Sequence, residues 1–228
     1  MPRLIALGHE LWCATHNFKV NSIPVSTRMT VIRLESGKLW LHSPIPVDEA
    51  LRSELAALGE VSAIVAPNKL HHLFLSPCAA DYPSAAVYGA PGLPNKRPDL
   101  PAMSELRPEP MPEWDAQLEQ VFVEGIPFAN ETIWFHPLSA TLIVTDLVQC
   151  YEGNMAWQAR LYAWLTGVRK QLNIPYTVRA LVRDREAVQR SVARILEWPF
   201  QRIVMAHNTV IEVDARAKMR RALASLLD

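Results

Sequence analysis

The chain has 228 residues, half of them hydrophobic and a fifth charged, with 23 lysines and arginines matched by 23 aspartates and glutamates. That balance excludes a disordered chain, and the neutral total leaves no global field to recruit nucleic acid or an anionic membrane. The length fits a single domain over residues 1–228 with a substantial core.

Cys13, Cys78 and Cys150 are too few and too scattered for a disulfide framework and form no Cys-x-x-Cys pair, which favours a reducing compartment. The opening Met1–Glu10 run is short and interrupted, unlike a signal peptide or an anchor. No stretch approaches the ~18 apolar residues of a membrane span. These features predict a soluble, cytoplasmic protein with no nucleic-acid or membrane partner.

In chain order, Thr30–Leu34, the turn Glu35–Lys38 and Leu39–His42 read as a hairpin, with β-branched and apolar residues around a Gly-containing turn. Pro44 and Pro46 end it. Asp48 is placed to cap a helix whose Leu51, Leu55 and Leu58 follow helical spacing, with Gly59 closing it. Val61–Ala66 is a compact apolar run suited to a buried strand, so a βαβ-like crossover is expected here. Ala85–Gly89 reads as a further strand. The proline-rich stretch from Ala90 to Glu113 reads as an extended surface loop.

The second half repeats the theme. Leu118–Val123 is a strand, and Glu131–His136 with Thr141–Asp146 is the clearest hairpin. Helices are expected over Met155–Leu172 and Asp184–Leu196, a strand over Arg202–Ala206 and a last helix over Ala215–Leu227. Trp157, Leu161 and Trp164 share a helical face and read as a core-facing stripe. Arg216, Lys218, Arg220 and Arg221 read as the solvated face of the last helix.

Residues able to do chemistry collect just after the strand runs: His42, Asn68 with His71 and His72, Asp146 and His207. Functional groups gather at the carboxyl ends of strands in α/β sheets, where rigid strands hold exposed loops. Imidazole nitrogen and carboxylate oxygen suit zinc or iron. His9, Cys13 and His16 match no standard zinc spacing, and no nucleophile elbow, phosphate loop or dinucleotide fingerprint is present.

The order of these parts resembles the metallo-β-lactamase-like superfamily. Ala66-Pro67-Asn68-Lys69-Leu70-His71-His72 stands where that family carries His-x-His-x-Asp-His, Thr141–Asp146 resembles the strand ending in the metal-bridging aspartate, and Val204–Asn208 resembles the late strand that delivers a histidine. If His72 aligns with the last motif histidine, Pro67 and Lys69 replace the first two and His71 replaces the aspartate. The resemblance implies an αββα sandwich with two central sheets and outer helices. It also implies at most a reduced site for one divalent metal (zinc, iron or manganese), built from His71, His72, Asp146 and His207. His42, Asn68, Glu131 and His136 are the expected supports behind these ligands.

The implied activity is metal-dependent hydrolysis of an ester, lactone, thioester or phosphoester, with a small-molecule substrate. The alternative is a non-catalytic member of the same fold that binds a small molecule or a protein through the Ala90–Glu113 loop. A redox role ranks last, because the sequence supplies no electron donor.

Overall fold

The computed structural model describes residues 3–20 and 23–227; Met1 and Pro2 of the N-terminal run lie outside them. Two β-sheets pack face to face. The first uses β1 (Ile5–Gly8), β2 (Leu11–Val20), β3 (Ile23–Arg33), β4 (Leu39–His42), β5 (Val61–Ala66), β6 (Ala86–Gly89) and β7 (Ser104–Glu105), side by side in that order. The second uses β8 (Glu119–Phe122), β9 (Thr132–His136), β10 (Thr141–Val144), β11 (Arg202–Met205) and β12 (Val210–Ile211), in the order β12-β11-β10-β9-β8. Strands β4 to β7 run parallel, as do β10 and β11, while the remaining pairs are antiparallel. With helices on the outer faces, this is the αββα sandwich expected from the sequence.

The helices are α1 (Glu49–Leu58), α2 (Leu75–Asp81), α3 (Leu93–Lys96), α4 (Trp157–Leu165), α5 (Tyr176–Arg179), α6 (Arg185–Glu197) and α7 (Ala215–Leu227). Asp48 caps α1 by accepting the Leu51 N–H at 2.9 Å, and the Gly59 N–H closes the helix on the Leu55 carbonyl. Leu51 and Leu55 of α1 pack with Leu39 and Leu41 of β4 in the outer core of the first sheet. The alternate residue Trp40 points the other way, into an inter-sheet layer with Trp114, Trp134, Val65 and Ile143. Strands buried on both faces read as unbroken apolar runs, which is why Val61–Ala66 shows no alternation. Val188 and Val192 of α6 and Met219 and Leu223 of α7 cover the outer face of the second sheet.

Trp40, Trp114 and Trp134 are fully buried. Each removes on the order of 200 Å² from water, worth about 5 kcal/mol at 25 cal/mol per Å². Gln120 serves two of them, accepting from Trp114 Nε1 at 3.3 Å and Trp134 Nε1 at 3.2 Å. Its own amide donates to the carbonyls of Arg107 and Glu109.

Three expectations need correction. The Ala90–Glu113 stretch is not an extended surface loop: it contains α3 and β7, and Leu106, which pairs back on Gly89, is buried. The Met155–Leu172 helix is shorter, ending at Leu165. Gly167 takes a φ of +76°, and an added Cβ there would lie 2.6 Å from Tyr176 Cζ, so the chain turns where the ring packs. Finally, Trp157 and Trp164 face solvent, at 63% and 66% exposure.

Candidate metal centre

The parallel pairings β4–β5 and β10–β11 bring the chemistry to one edge of the sandwich. His42 ends β4, Asn68 and His71 follow β5, Asp146 follows β10 and His207 follows β11. In the turn after β5, Asn68 Oδ1 accepts the N–H groups of Leu70 and His71 at 2.8 and 2.9 Å, which fixes the turn and aims His71 inward. The Asn68 amide donates across the inter-sheet gap to Asp146 Oδ2 at 2.8 Å.

His71, Asp146 and His207 converge. His71 Nε2 lies 3.1 Å from His207 Nε2 and 3.3 Å from Asp146 Oδ2, while His207 Nε2 lies 3.3 Å from Asp146 Oδ1. The outer nitrogens are held from behind. His207 Nδ1 donates to the Ser26 carbonyl at 2.7 Å, so in the neutral ring the lone pair sits on Nε2, facing the cluster. His71 Nδ1 meets Ser43 Oγ at 2.7 Å, a hydroxyl that can either donate or accept.

These three groups fit one divalent ion. A tetrahedral ion with bonds of about 2.0–2.1 Å has donor–donor edges of about 3.3 Å, which matches the spacings here. Three protein donors leave a fourth position open, the arrangement of catalytic rather than structural sites.

Charge in the site is set by burial and by the rings. Burial pushes the Asp146 carboxyl up, but the His71 and His207 rings beside it prevail and hold it well below the usual carboxylate range. Burial works against a charge on His207, and the hydrogen bond that its ring donates to Asp146 outweighs it, raising the imidazole. Glu131 lies behind the cluster, where its carboxylate accepts the backbone N–H groups of Thr145, Asp146 and Leu147 at 2.8 to 3.0 Å. Burial and then the Asp146 charge push Glu131 up to about 7.

The other candidates fall elsewhere. His72 diverges from its neighbour and points its Nδ1 at Arg97 Nη1, 3.2 Å away, outside the cluster. His136 pairs with Ser139 and lines a separate cavity with His9 and Glu10. His42 is buried beneath the site, stacked on Trp40 and edge-on to Trp134, and neither ring nitrogen has a hydrogen-bond partner among the described residues. Burial lowers its imidazole to about 3.

Four contributors escaped the sequence reading: Ser26, Ser43, Arg28 and Gln149. Arg28 donates to the carbonyls of Met205 and Asn208, bracketing His207, and Gln149 donates to Asp146 Oδ1 at 3.2 Å. The one available signal was Arg28 itself, a charge midway along the Ile23–Arg33 strand. Ser43 and Asn208 both adopt left-handed backbone, φ 55° and 51°, next to the histidines they adjoin.

Three cavities meet at Asp146. One of about 600 Å³ runs along α4 past Tyr162 and Gln158, one of about 350 Å³ is lined by Ile126, Phe128 and Leu181, and one of about 270 Å³ by Phe18, Leu73 and Phe74. A family model for a domain of unknown function, DUF4336, matches residues 8–156, well over half of the chain. The chain belongs to the DUF4336 family. No curated protein sequence matches this DUF4336 chain.

Solved structures share its fold at low identity. The metallo-β-lactamase from Pontibacter korlensis is 13% identical with a TM-score of 0.66, covering 100% of both chains. That from Erythrobacter litoralis is 12% identical at 0.67, covering 98% of this chain and 96% of the other. The metal-soaked Flv1 flavodiiron core from Synechocystis is 9% identical at 0.65, covering 99% of this chain and 60% of the other. The DUF4336 chain therefore has a metallo-β-lactamase-like fold.

Proposed function

We propose that this protein is a metal-dependent hydrolase of neutral, largely apolar esters, thioesters or lactones. The observation that carries the reading is the convergence of His71, Asp146 and His207 at donor spacings suited to one ion, with both outer ring nitrogens tied back. A divalent ion (zinc, iron or manganese) held there would polarise a carbonyl oxygen and acidify water near neutral pH. Asn68 and Gln149 orient the Asp146 carboxylate, Ser26 and Ser43 orient the two rings, and Glu131 fixes the backbone that carries Asp146. The supporting partners of metal ligands commonly tune affinity by 10–100-fold.

The apolar cavities support the substrate class. Among the described residues, those lining the three cavities include no lysine or arginine to pair with a phosphate. That favours carbonyl substrates over the phosphoesters also implied by the family resemblance.

One observation favours the non-catalytic alternative. The cluster can close without an ion: His71 Nε2–H can donate to His207 Nε2 while the Ser43 hydroxyl donates to His71 Nδ1. The loop expected to carry recognition in that case, Ala90–Glu113, lines none of the three cavities among the described residues.

Elemental analysis of protein purified without chelator or added metal separates these readings. Near-stoichiometric zinc, iron or manganese is expected in the wild type and in His72→Ala, and its loss in His71→Ala and His207→Ala. Hydrolysis of a neutral aryl ester or lactone, but not of an aryl phosphate, should follow metal content. A wild type that stays metal-free after reconstitution with each ion would overturn the proposal.

A further inference from the structure

We infer that α4 and its flanking loops dock this protein on an anionic lipid surface. The outer face of α4 presents Trp157, Leu161, Trp164 and Leu165 to solvent, all at least 45% exposed. Their spacing of four, three and one puts them on one side of the helix, with exposed Arg160 among them. Isolated exposed apolar residues are ordinary, but two tryptophans and two leucines on one helical face form a contiguous patch that marks an interaction site.

Charge identifies the occupant. From Gly153 to Arg183 the chain carries Arg160, Arg169, Lys170, Arg179 and Arg183 and no aspartate or glutamate, in a protein whose overall charge is zero. None of these five is in an ion pair among the described residues. Arg179 is partly buried, donating to Asn173 and lying over the Tyr176 ring, so the apolar face and four exposed basic residues, Arg160, Arg169, Lys170 and Arg183, belong to the same stretch of chain.

A second copy of the chain is a poor match for this surface. A two-fold interface would set the same basic stretch against itself, bringing Arg160 toward Arg160. An anionic bilayer satisfies both features: tryptophan rings sit at the headgroup level, leucines enter the acyl boundary and basic side chains meet phosphates. The opposite edge of α4, at Gln158, Ala159 and Tyr162, lines the 600 Å³ cavity beside Asp146. Docking would hold the mouth of that cavity beside the lipid. The inference does not depend on metal in the site.

The test is flotation of the full chain with vesicles of phosphatidylcholine alone, and with vesicles in which about a third of the lipid is phosphatidylglycerol. Binding is expected to the anionic vesicles at low salt and to fall at high salt. Each basic residue near the surface is worth about fivefold in partitioning, so Arg160→Gln/Arg169→Gln/Lys170→Gln should weaken binding on the order of 100-fold.

Trp157→Ala/Trp164→Ala should abolish flotation and the quenching of tryptophan emission by brominated lipid, with an unchanged melting curve because both rings are exposed. Absence of wild-type binding to anionic vesicles at low salt would overturn the inference, as would undiminished binding by the double tryptophan variant. A dimer in light scattering that this variant dissolves, without vesicle binding, would instead assign the face to a second copy.

Discussion

Asn68 and Asp146 are joined across the two sheets by a 2.8 Å hydrogen bond from the Asn68 amide to Oδ2, while the other end of the same amide fixes the turn that carries His71. One neutral side chain thus sets the position of two of the three convergent groups. Asn68→Asp keeps the turn acceptor but replaces the donor with a charge beside Asp146 and Glu131. We expect about 2–3 kcal/mol of lost stability at pH 7, the cost of a broken buried hydrogen bond to a charged group. The loss should shrink as acid protonates the new carboxyl. Urea melts of both proteins across pH 5–8 would check this, and a pH-independent gap would mean the new charge is not felt.

Ser43→Ala removes the hydroxyl that meets His71 Nδ1 at 2.7 Å. The expected result is 10–100-fold weaker metal affinity, with about 1 kcal/mol of lost stability in the metal-free protein from the missing hydrogen bond. Competition against a chelating dye would measure it. Unchanged affinity would show that the ring is held by its packing rather than by the hydroxyl.

His42 makes the fold acid-sensitive. Its imidazole is lowered from 6.5 to about 3 by burial, so between those values the unfolded chain takes up a proton that the folded chain refuses. Stability is therefore lost as pH falls below 6.5, by about 1.4 kcal/mol per pH unit from this residue. His42→Phe fits the same aromatic stack and has no nitrogen to titrate. Its stability advantage over wild type should widen steadily from pH 6.5 toward pH 4.5. Parallel stability–pH curves for the two proteins would show that the ring is protonated in the folded state.

Gly167→Ala probes the end of α4. The positive φ disfavours a side chain, and the new methyl would press on Tyr176. We expect about 1–3 kcal/mol of destabilisation, combining the backbone term with overpacking. Hydrogen exchange should quicken first in residues 157–176, and equal protection in both proteins would indicate that Tyr176 swings away freely.

The strand framework was legible because both sheets are buried on two faces, so β4, β5, β9, β10 and β11 stand out as short apolar runs. Asp146 and His207 were legible for the same reason, each closing a run. The choice between His71 and His72 was not, since it depends on a turn shaped by Asn68 and on an arginine 25 residues away, Arg97. Nor was the direction of the Trp157–Trp164 stripe: helical spacing establishes that residues share a face, not whether that face meets protein. The balanced total charge also hid the local excess around α4. Ser26 and Arg28 reach the His207 loop across the two sheets, with Ser26 and His207 181 positions apart in the chain, a meeting that no local pattern reports.

Each sheet is drawn from one continuous half of the chain: β1 to β7 lie within residues 5–105, and β8 to β12 within 119–211. His71 belongs to the first half, Asp146 and His207 to the second. A cut in the connecting segment would therefore separate the histidine pair without severing either sheet, and two such fragments could regain the 3.1 Å meeting of His71 and His207 only by reassociating. The order of folding follows from the same layout: both halves must form and dock before the cluster exists, so an ion would be retained by the finished molecule and not by either half alone.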